Sequence, residues 1–158
     1  MHSNRNYLVH PSSDVQTGSI GDNTRIWQYV VVLPNAIIGN NCNINAHVFI
    51  ENDVKIGNSC TVKSGVYLWD GIEIEDDVFI GPNVTFTNDK YPKSKIHPEQ
   101  FQKIRIGKGA SIGAGSIILG GVTIGANSLR GAGSLVTKDV PPNELWHGSP
   151  ATFIRKTI

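Results

Sequence analysis

Stepping through the chain six residues at a time from Ile20 meets Ile26, Val32, Ile38, Ile44, Ile50, Ile56, Val62, Leu68, Ile74, Ile80 and Phe86, every one apolar. In a chain that is 39% hydrophobic, such a run has a chance probability of roughly one in a hundred thousand in a single register. Four residues after each anchor stands Thr24, Val30, Ala36, Cys42, Val48, Val54, Cys60, Val66, Ile72, Val78 and Val84, always small or β-branched. Two inward positions are therefore specified in every six. That period fits neither the 3.6 of an α-helix nor the simple alternation of a half-buried strand. A short strand followed by a corner does fit. Gly21, Gly39, Gly57, Gly81, Gly107, Gly113, Gly125 and Gly131 follow anchor positions, where a missing Cβ lets the chain turn tightly. Each hexad becomes one side of a prism, and three sides close a coil of 18 residues. Coils stack at the parallel-strand spacing of about 4.8 Å. The expected fold is all-β, a parallel β-helix of about six coils that stacks residues 18 apart.

The pattern has three irregularities. Between Phe86 and Ile106, where the repeat resumes, lie about 14 residues more than it allows, read as an ejected surface loop from Thr87 to Gln100. Arg130 stands where an aliphatic is expected after Ile106, Ile112, Ile118 and Ile124. It is read as a local distortion with its guanidinium reaching solvent. At the start, Val15 is out of phase by one residue, which suggests an irregular cap over the first coil. The expected organisation is one domain over 1–158: cap 1–19, coils 20–136 with the loop at 87–105, and a C-terminal tail 137–158.

Fourteen Lys and Arg against 13 Asp and Glu leave a net charge of +1, which gathers neither nucleic acid nor an acidic membrane surface. The first residues, Met1 to Asn6, carry no long apolar stretch, so neither a signal peptide nor a membrane span is expected, and the protein is placed in the cytoplasm. Cys42 and Cys60 lack the spacing of a zinc or redox motif and should stack one coil apart as core thiols. No metal is expected.

Stacking by 18 aligns Glu51 with Trp69 and Thr87, and Asn52 with Asp70 and Asn88, a polar ladder leading to the loop. On the adjoining side it aligns His47 with Gly65 and Asn83, and Gly65 should leave open space beside the imidazole. His47 is then a candidate general base, with Asp70 or Glu51 nearby to orient the ring or to bind a substrate hydroxyl. Asn83, Asn88 and Asp89 suit positioning of a sugar or amine, and Trp69 or Tyr91 could stack on a ring.

The hexad pattern resembles the hexapeptide-repeat acyltransferases over nearly the whole chain, which implies a left-handed β-helix, although the usual crossover rule would give the other hand. The stretches Ile50-Glu51-Asn52-Asp53, Leu68-Trp69-Asp70-Gly71 and Gly81-Pro82-Asn83-Val84-Thr85-Phe86-Thr87-Asn88-Asp89 resemble bacterial nucleotide-sugar N-acetyltransferases that act on dTDP-linked 3-amino-3,6-dideoxyhexoses. Gly131 to Pro141 and Gly148-Ser149-Pro150-Ala151 are similar to the C-terminal coil and exit segment of the wider superfamily. The resemblance implies acetyl-CoA as cosubstrate, a nucleotide-linked amino sugar as acceptor, a role in surface-polysaccharide synthesis, and a homotrimer with sites between subunits. Coenzyme A would lie near the later coils, on backbone N–H groups around Gly113, Ala114, Gly131 and Ala132, with Lys138, Arg155 and Lys156 at its phosphates. Some such enzymes use no dedicated base, the leaving thiolate taking the proton. Three alternatives stay open: another small amine or hydroxyl acceptor; a trimeric carbonic anhydrase-like zinc enzyme, against which His2, His10, His47, His97 and His147 offer no close pair on one side of the prism; and a purely structural or ice-binding helix, against which the outward columns are mixed and interrupted by a loop.

Overall fold

The computed structural model describes residues 6–158. Among them every regular element is a strand, and most strands are two residues long. The hexad explains the brevity: one outward and one inward residue form the ladder, and a turn follows. Three parallel stacks form the faces of a prism. The first runs Leu8–Val9, Arg25–Ile26, Asn43–Ile44, Thr61–Val62, Phe79–Ile80, Ser111–Ile112, Leu129–Arg130 and Glu144–Gly148, and ends on the antiparallel strand Ala151–Lys156. The second face stacks Asp14–Val15, Val31–Val32, Phe49–Ile50, Tyr67–Leu68, Thr85–Phe86, Ile117–Ile118 and Leu135–Val136. The third stacks Ile37–Ile38, Lys55–Ile56, Ile72–Ile74, Ile104–Ile106 and Thr123–Ile124.

The register is 18 in the regular region, with Asn43 opposite Thr61 and Phe49 opposite Tyr67. Across the loop it becomes 32, with Ile72 opposite Ile104 and Thr85 opposite Ile117. The insertion therefore leaves the lattice undisturbed and adds its 14 residues outside it. The anchors and their small companions form one buried cluster from Ile26 to Ala151, which includes Cys42 and Cys60 as free thiols.

Four expectations need correction. The prism has about eight coils instead of six, because both ends continue the stack. The N-terminal segment, as far as it lies within the described residues, is no irregular cap. Leu8 pairs with Arg25 and Asp14 with Val31, a register of 17, and the missing residue falls between Val15 and Ile20, which bridges Ile38 at 18. Residues 1–5 of the expected cap, His2 among them, lie outside the described residues. The C-terminal tail is a hairpin, Glu144–Gly148 with Ala151–Lys156.

Arg130 is the fourth. It does not reach solvent: it is 1% exposed, paired between Ile112 and Trp146 inside the first face. Its Nη1 donates to the Leu129 carbonyl, while Nε and Nη2 have no hydrogen-bond partner among the described residues. Burial pulls its pKa down to about 10, and the Glu144 carboxylate nearby opposes that fall. The lattice dictates this outcome, since an inward position on a closed coil has no route outwards. The polar inward residues Ser116, Ser128 and Ser134 accompany it in the last coils.

Candidate active site

The turn joining the first face to the second is the site's main frame. It recurs at Tyr29, His47, Gly65, Asn83, Gly115 and Gly133, all in the left-handed region. His47 is exposed, and its imidazole stacks on the Tyr29 ring at 5.1 Å between centroids and 24° between planes. The space at Gly65 is not open to His47. Asn83, one coil on, directs its amide oxygen there, where a Cβ on Gly65 would collide with it. Asn83 thus sits in the same column with its amide oxygen set against the Gly65 turn.

Next to His47 a groove of about 430 Å³ opens on the second face, lined by Tyr29, Val31, His47, Val48, Phe49, Tyr67 and Trp69. Phe49, Tyr67 and Trp69 form an aromatic cluster with centroids 5.7 to 6.5 Å apart. Such rings supply apolar contact area with a preferred edge-on geometry. A second concavity of about 310 Å³ continues past Gly65, Asn83 and Thr85. Tyr29, Phe49 and Tyr67 were missed in the sequence. A signal existed: Val31, Phe49 and Tyr67 fill one outward column just before the anchor, a position where most of the other hexads carry a polar residue.

The polar ladder lies at the opposite edge of that face, on the turn to the third face. Its members meet as the 18-residue stacking requires, but mostly through the backbone. Glu51 Oε2 accepts from the Asp70 N–H at 2.7 Å, and Asp70 Oδ1 accepts from the Asp53 N–H at 2.7 Å. Asn88 Nδ2 donates to the Asp70 carbonyl at 3.2 Å, and Trp69 Nε1 donates to the Phe86 carbonyl at 2.9 Å. Burial raises the Glu51 pKa, an effect the Asp70 N–H opposes and the Asp70 charge reinforces. The expected pairing of His47 with Asp70 or Glu51 is not made. No hydrogen bond joins them among the described residues, and four residue steps of extended chain, roughly 13 Å, separate His47 from Glu51 along the face. Within one chain the two acids hold the turns and the imidazole is held by a ring.

The loop is clipped at its base. Gln102 N–H donates to the Asn88 carbonyl at 2.8 Å, and the Gly120 N–H donates to Thr87 Oγ1 at 3.0 Å. The Gln102 amide occupies the place a Gly120 side chain would take. Beyond the base, Asp89 Oδ1 accepts from the Tyr91 N–H, Lys90 Nζ lies 5.7 Å from the Tyr91 ring centre, and Tyr91 itself is 75% exposed. A polar concavity of about 390 Å³ lies beneath, between Asp53, Asp70, Gly71, Gln100, Phe101 and Lys103.

The expected coenzyme A contacts divide. The Gly113 and Gly131 N–H groups are spent within the stack, on the carbonyls of Arg130 at 3.0 Å and Trp146 at 3.1 Å. The ring of His147 also packs over Gly131. Ala114 and Ala132, exposed and one coil apart on the same corner, donate to nothing among the described residues. Of the expected phosphate partners, Lys156 is committed to Glu144 at 2.7 Å, and Arg155 Nη1 donates to the Lys156 carbonyl. Lys138 Nζ lies 5.3 Å from the Trp146 ring centre. Among the described residues no three His, Cys, Asp or Glu side chains gather as metal ligands, and no helix is long and apolar enough to cross a membrane.

The chain is similar to several acetyltransferases. It is 57% identical over 149 residues to dTDP-3-amino-3,6-dideoxy-alpha-D-galactopyranose 3-N-acetyltransferase of Aneurinibacillus thermoaerophilus, covering 94% of this chain and 78% of that one. Among solved structures, a histidine-to-asparagine mutant of perosamine N-acetyltransferase from Caulobacter crescentus, in complex with CoA and GDP-perosamine, superposes with a TM-score of 0.63 at 25% identity, over 94% of this chain and 56% of the other. A hexapeptide-repeat acetyltransferase from Vibrio cholerae, complexed with acetyl coenzyme A, gives a TM-score of 0.66 at 28% identity, over 90% of this chain and 73% of the other. Residues 17–52 and 53–88 match the bacterial transferase hexapeptide (six repeats), and residues 103–138 match the hexapeptide repeat of succinyl-transferase. With these matches spanning most of the chain and the same lattice visible in its strands, the protein belongs to the hexapeptide-repeat transferase family.

Proposed function

We propose that this protein is an acetyl-CoA-dependent N-acetyltransferase acting on the 3-amino group of a dTDP-linked 3-amino-3,6-dideoxyhexose, in bacterial surface-polysaccharide synthesis. The observation that carries this reading is the 57% identity, across 94% of the chain, to an enzyme of that activity. The aromatic groove beside His47 supports it, offering apolar ring surface for a base or sugar and one side chain able to take a proton.

Acetyl coenzyme A supplies a thioester carbonyl. The neutral amine adds to it, the carbon–sulfur bond breaks, and one proton must leave the nitrogen. His47 is assigned that proton. No ring-nitrogen hydrogen bond of His47 is found among the described residues, where its ring contact is the Tyr29 face, so its edge is free to meet the amine. Asp70, which lies across the face, is assigned with Glu51, Trp69, Asn83, Asn88, Asp89 and Tyr91 to holding the acceptor. Ala114 and Ala132 N–H groups are assigned to the amides of the coenzyme, with Lys138 and Arg155 to its phosphates. Lys156 contributes through its pairing with Glu144 more than through a free charge. A second reading, in which the departing thiolate takes the proton, is favoured by the missing carboxylate partner of His47. We place the enzyme in the cytoplasm as a homotrimer whose groove is completed by a neighbouring subunit.

The test is thiol release from acetyl coenzyme A against a panel of nucleotide-linked 3-amino and 4-amino sugars, simple amino acids, galactosides and other hydroxyl acceptors. Turnover concentrated on a dTDP-linked 3-amino sugar is the expected result. Turnover confined to a hydroxyl acceptor overturns the substrate assignment, and absence of coenzyme A binding overturns the reading as a whole.

A further inference from the structure

The turn column that carries His47 holds a conformation that L side chains rarely adopt. Its six members have φ between 57° and 77°, and four are Gly or Asn, which accept it readily. The equivalent column at the corner between the third and first faces uses short polar residues and one glycine: Asn23, Asn41, Ser59, Asp77, Gly109, Asn127 and Asn143. Only Tyr29, at 57°, and His47, at 61°, place rings in this backbone among the described residues. Each costs about 1 kcal/mol relative to a residue suited to it. They are consecutive in the column, and their rings lie face to face at 5.1 Å. Two strained positions that spend their strain on a single contact point to a built pair.

We infer that Tyr29 is a positioning residue: its ring face fixes the plane of the His47 imidazole so that a ring nitrogen is presented to the groove. The inference rests on the reading of His47 as the base. A base is more often oriented by a carboxylate on its second nitrogen, and here the acids are occupied at the other edge of the face. Stacking achieves the orientation from the side. It leaves both nitrogens unencumbered, and it restricts the imidazole rotation that would otherwise divide it among several wells. The Tyr29 hydroxyl has no part in this, since the contact is between ring faces.

Tyr29→Asn, Tyr29→Phe and His47→Asn test it in the full-length enzyme. Asparagine suits the left-handed backbone, so both Asn variants fold, and Tyr29→Asn melts no lower than the native protein. Its turnover number falls about 10- to 100-fold through loss of alignment, while the Michaelis constants for acetyl coenzyme A and acceptor stay within about two-fold. Tyr29→Phe keeps the ring and restores turnover. The imidazole proton resonances, assigned by their disappearance in His47→Asn, carry the upfield shift of a stacked ring in the native and Phe proteins and lose it in Tyr29→Asn. His47→Asn reads the underlying assignment separately, with turnover expected to fall about 10²- to 10⁴-fold. If His47→Asn turns over normally, the base assignment fails and the positioning role with it. If His47→Asn is inactive but Tyr29→Asn is fully active, or Tyr29→Phe is as impaired as Tyr29→Asn, the positioning role alone is overturned.

Discussion

Arg130 shows what a strict lattice does to a residue that breaks its rule. A closed coil offers an inward position no exit, so the guanidinium stays inside with two nitrogens unpaired. Leaving buried donors unsatisfied costs roughly 1 to 3 kcal/mol. Methionine has similar length and no donors, so Arg130→Met should leave stability unchanged or raise it by up to about 3 kcal/mol. Arg130→Ala should lower it by roughly 2 to 5 kcal/mol by emptying the same space. Chemical denaturation of the two variants reads the opposite signs. A large loss in Arg130→Met would show that Nε and Nη2 have partners in solution. At the same scale, the anchors and their small companions were legible in the sequence because burial alone selects them. His47, Asn83 and the ladder were placed in their columns correctly, but their contacts were not. Periodicity says which residues share a column. It does not say that Asn83 sets its oxygen against Gly65, or that the Asp70 carboxylate accepts from the Asp53 N–H.

Two elements stand outside the prism's regular walls, and each carries a prediction. The loop's length was legible because it interrupts a counted pattern, and the change of register from 18 to 32 follows directly. Its attachment through Thr87, Gln102 and Gly120 was not, since nothing in the period marks those three as neighbours. If residues 89–101 hold the acceptor, replacing them with a short turn between Asn88 and Gln102 should raise the acceptor's Michaelis constant at least about 10-fold while that of acetyl coenzyme A stays put. Equal change in both would assign the loop a structural task instead. The C-terminal hairpin was hidden because its strands pair antiparallel and leave the hexad period. It is pinned by Glu144, whose Oε1 meets Lys156 and whose Oε2 accepts from Trp146 Nε1. The Lys156 and Trp146 hydrogen bonds hold the Glu144 pKa below its ordinary value. A carboxylate with a depressed pKa adds stability that is present above the unfolded-state pKa and is lost as pH falls through the folded one. Amide exchange across Ala151–Lys156 should therefore be faster in Glu144→Gln than in native protein near neutral pH, and the difference should vanish as acid carries the pH below the depressed pKa of Glu144. A difference that persists in acid would mean that shape, not charge, makes the contact.

At the scale of the whole molecule the three faces are chemically unlike. The third presents an ion ladder, with Glu73 between Lys55 and Arg105 at 4.0 and 3.3 Å, and such exposed pairs favour water. The second presents Tyr67 and Ile117, 50% and 40% exposed, in a column with Phe49 and Leu135. The first adds Phe79 and Leu129, each 39% exposed. These two faces meet at the corner that carries Tyr29, His47, Asn83, Ala114 and Ala132. Three-fold closure about that corner would bury these exposed apolar side chains and leave the charged face outside, and it would wall the open groove with a neighbour's surface. Placing a carboxylate in the middle of the second face should then break the assembly, whereas the same change on the third face should not. Ile117→Glu is expected to run as a monomer by light scattering and to lose turnover, because the groove of one subunit lacks its opposite wall. Ile37→Glu, on the third face at 46% exposure, is expected to remain a trimer with native turnover. A native protein that is itself monomeric and active would refute the shared groove, and an Ile117→Glu monomer with full activity would place the whole site within one chain.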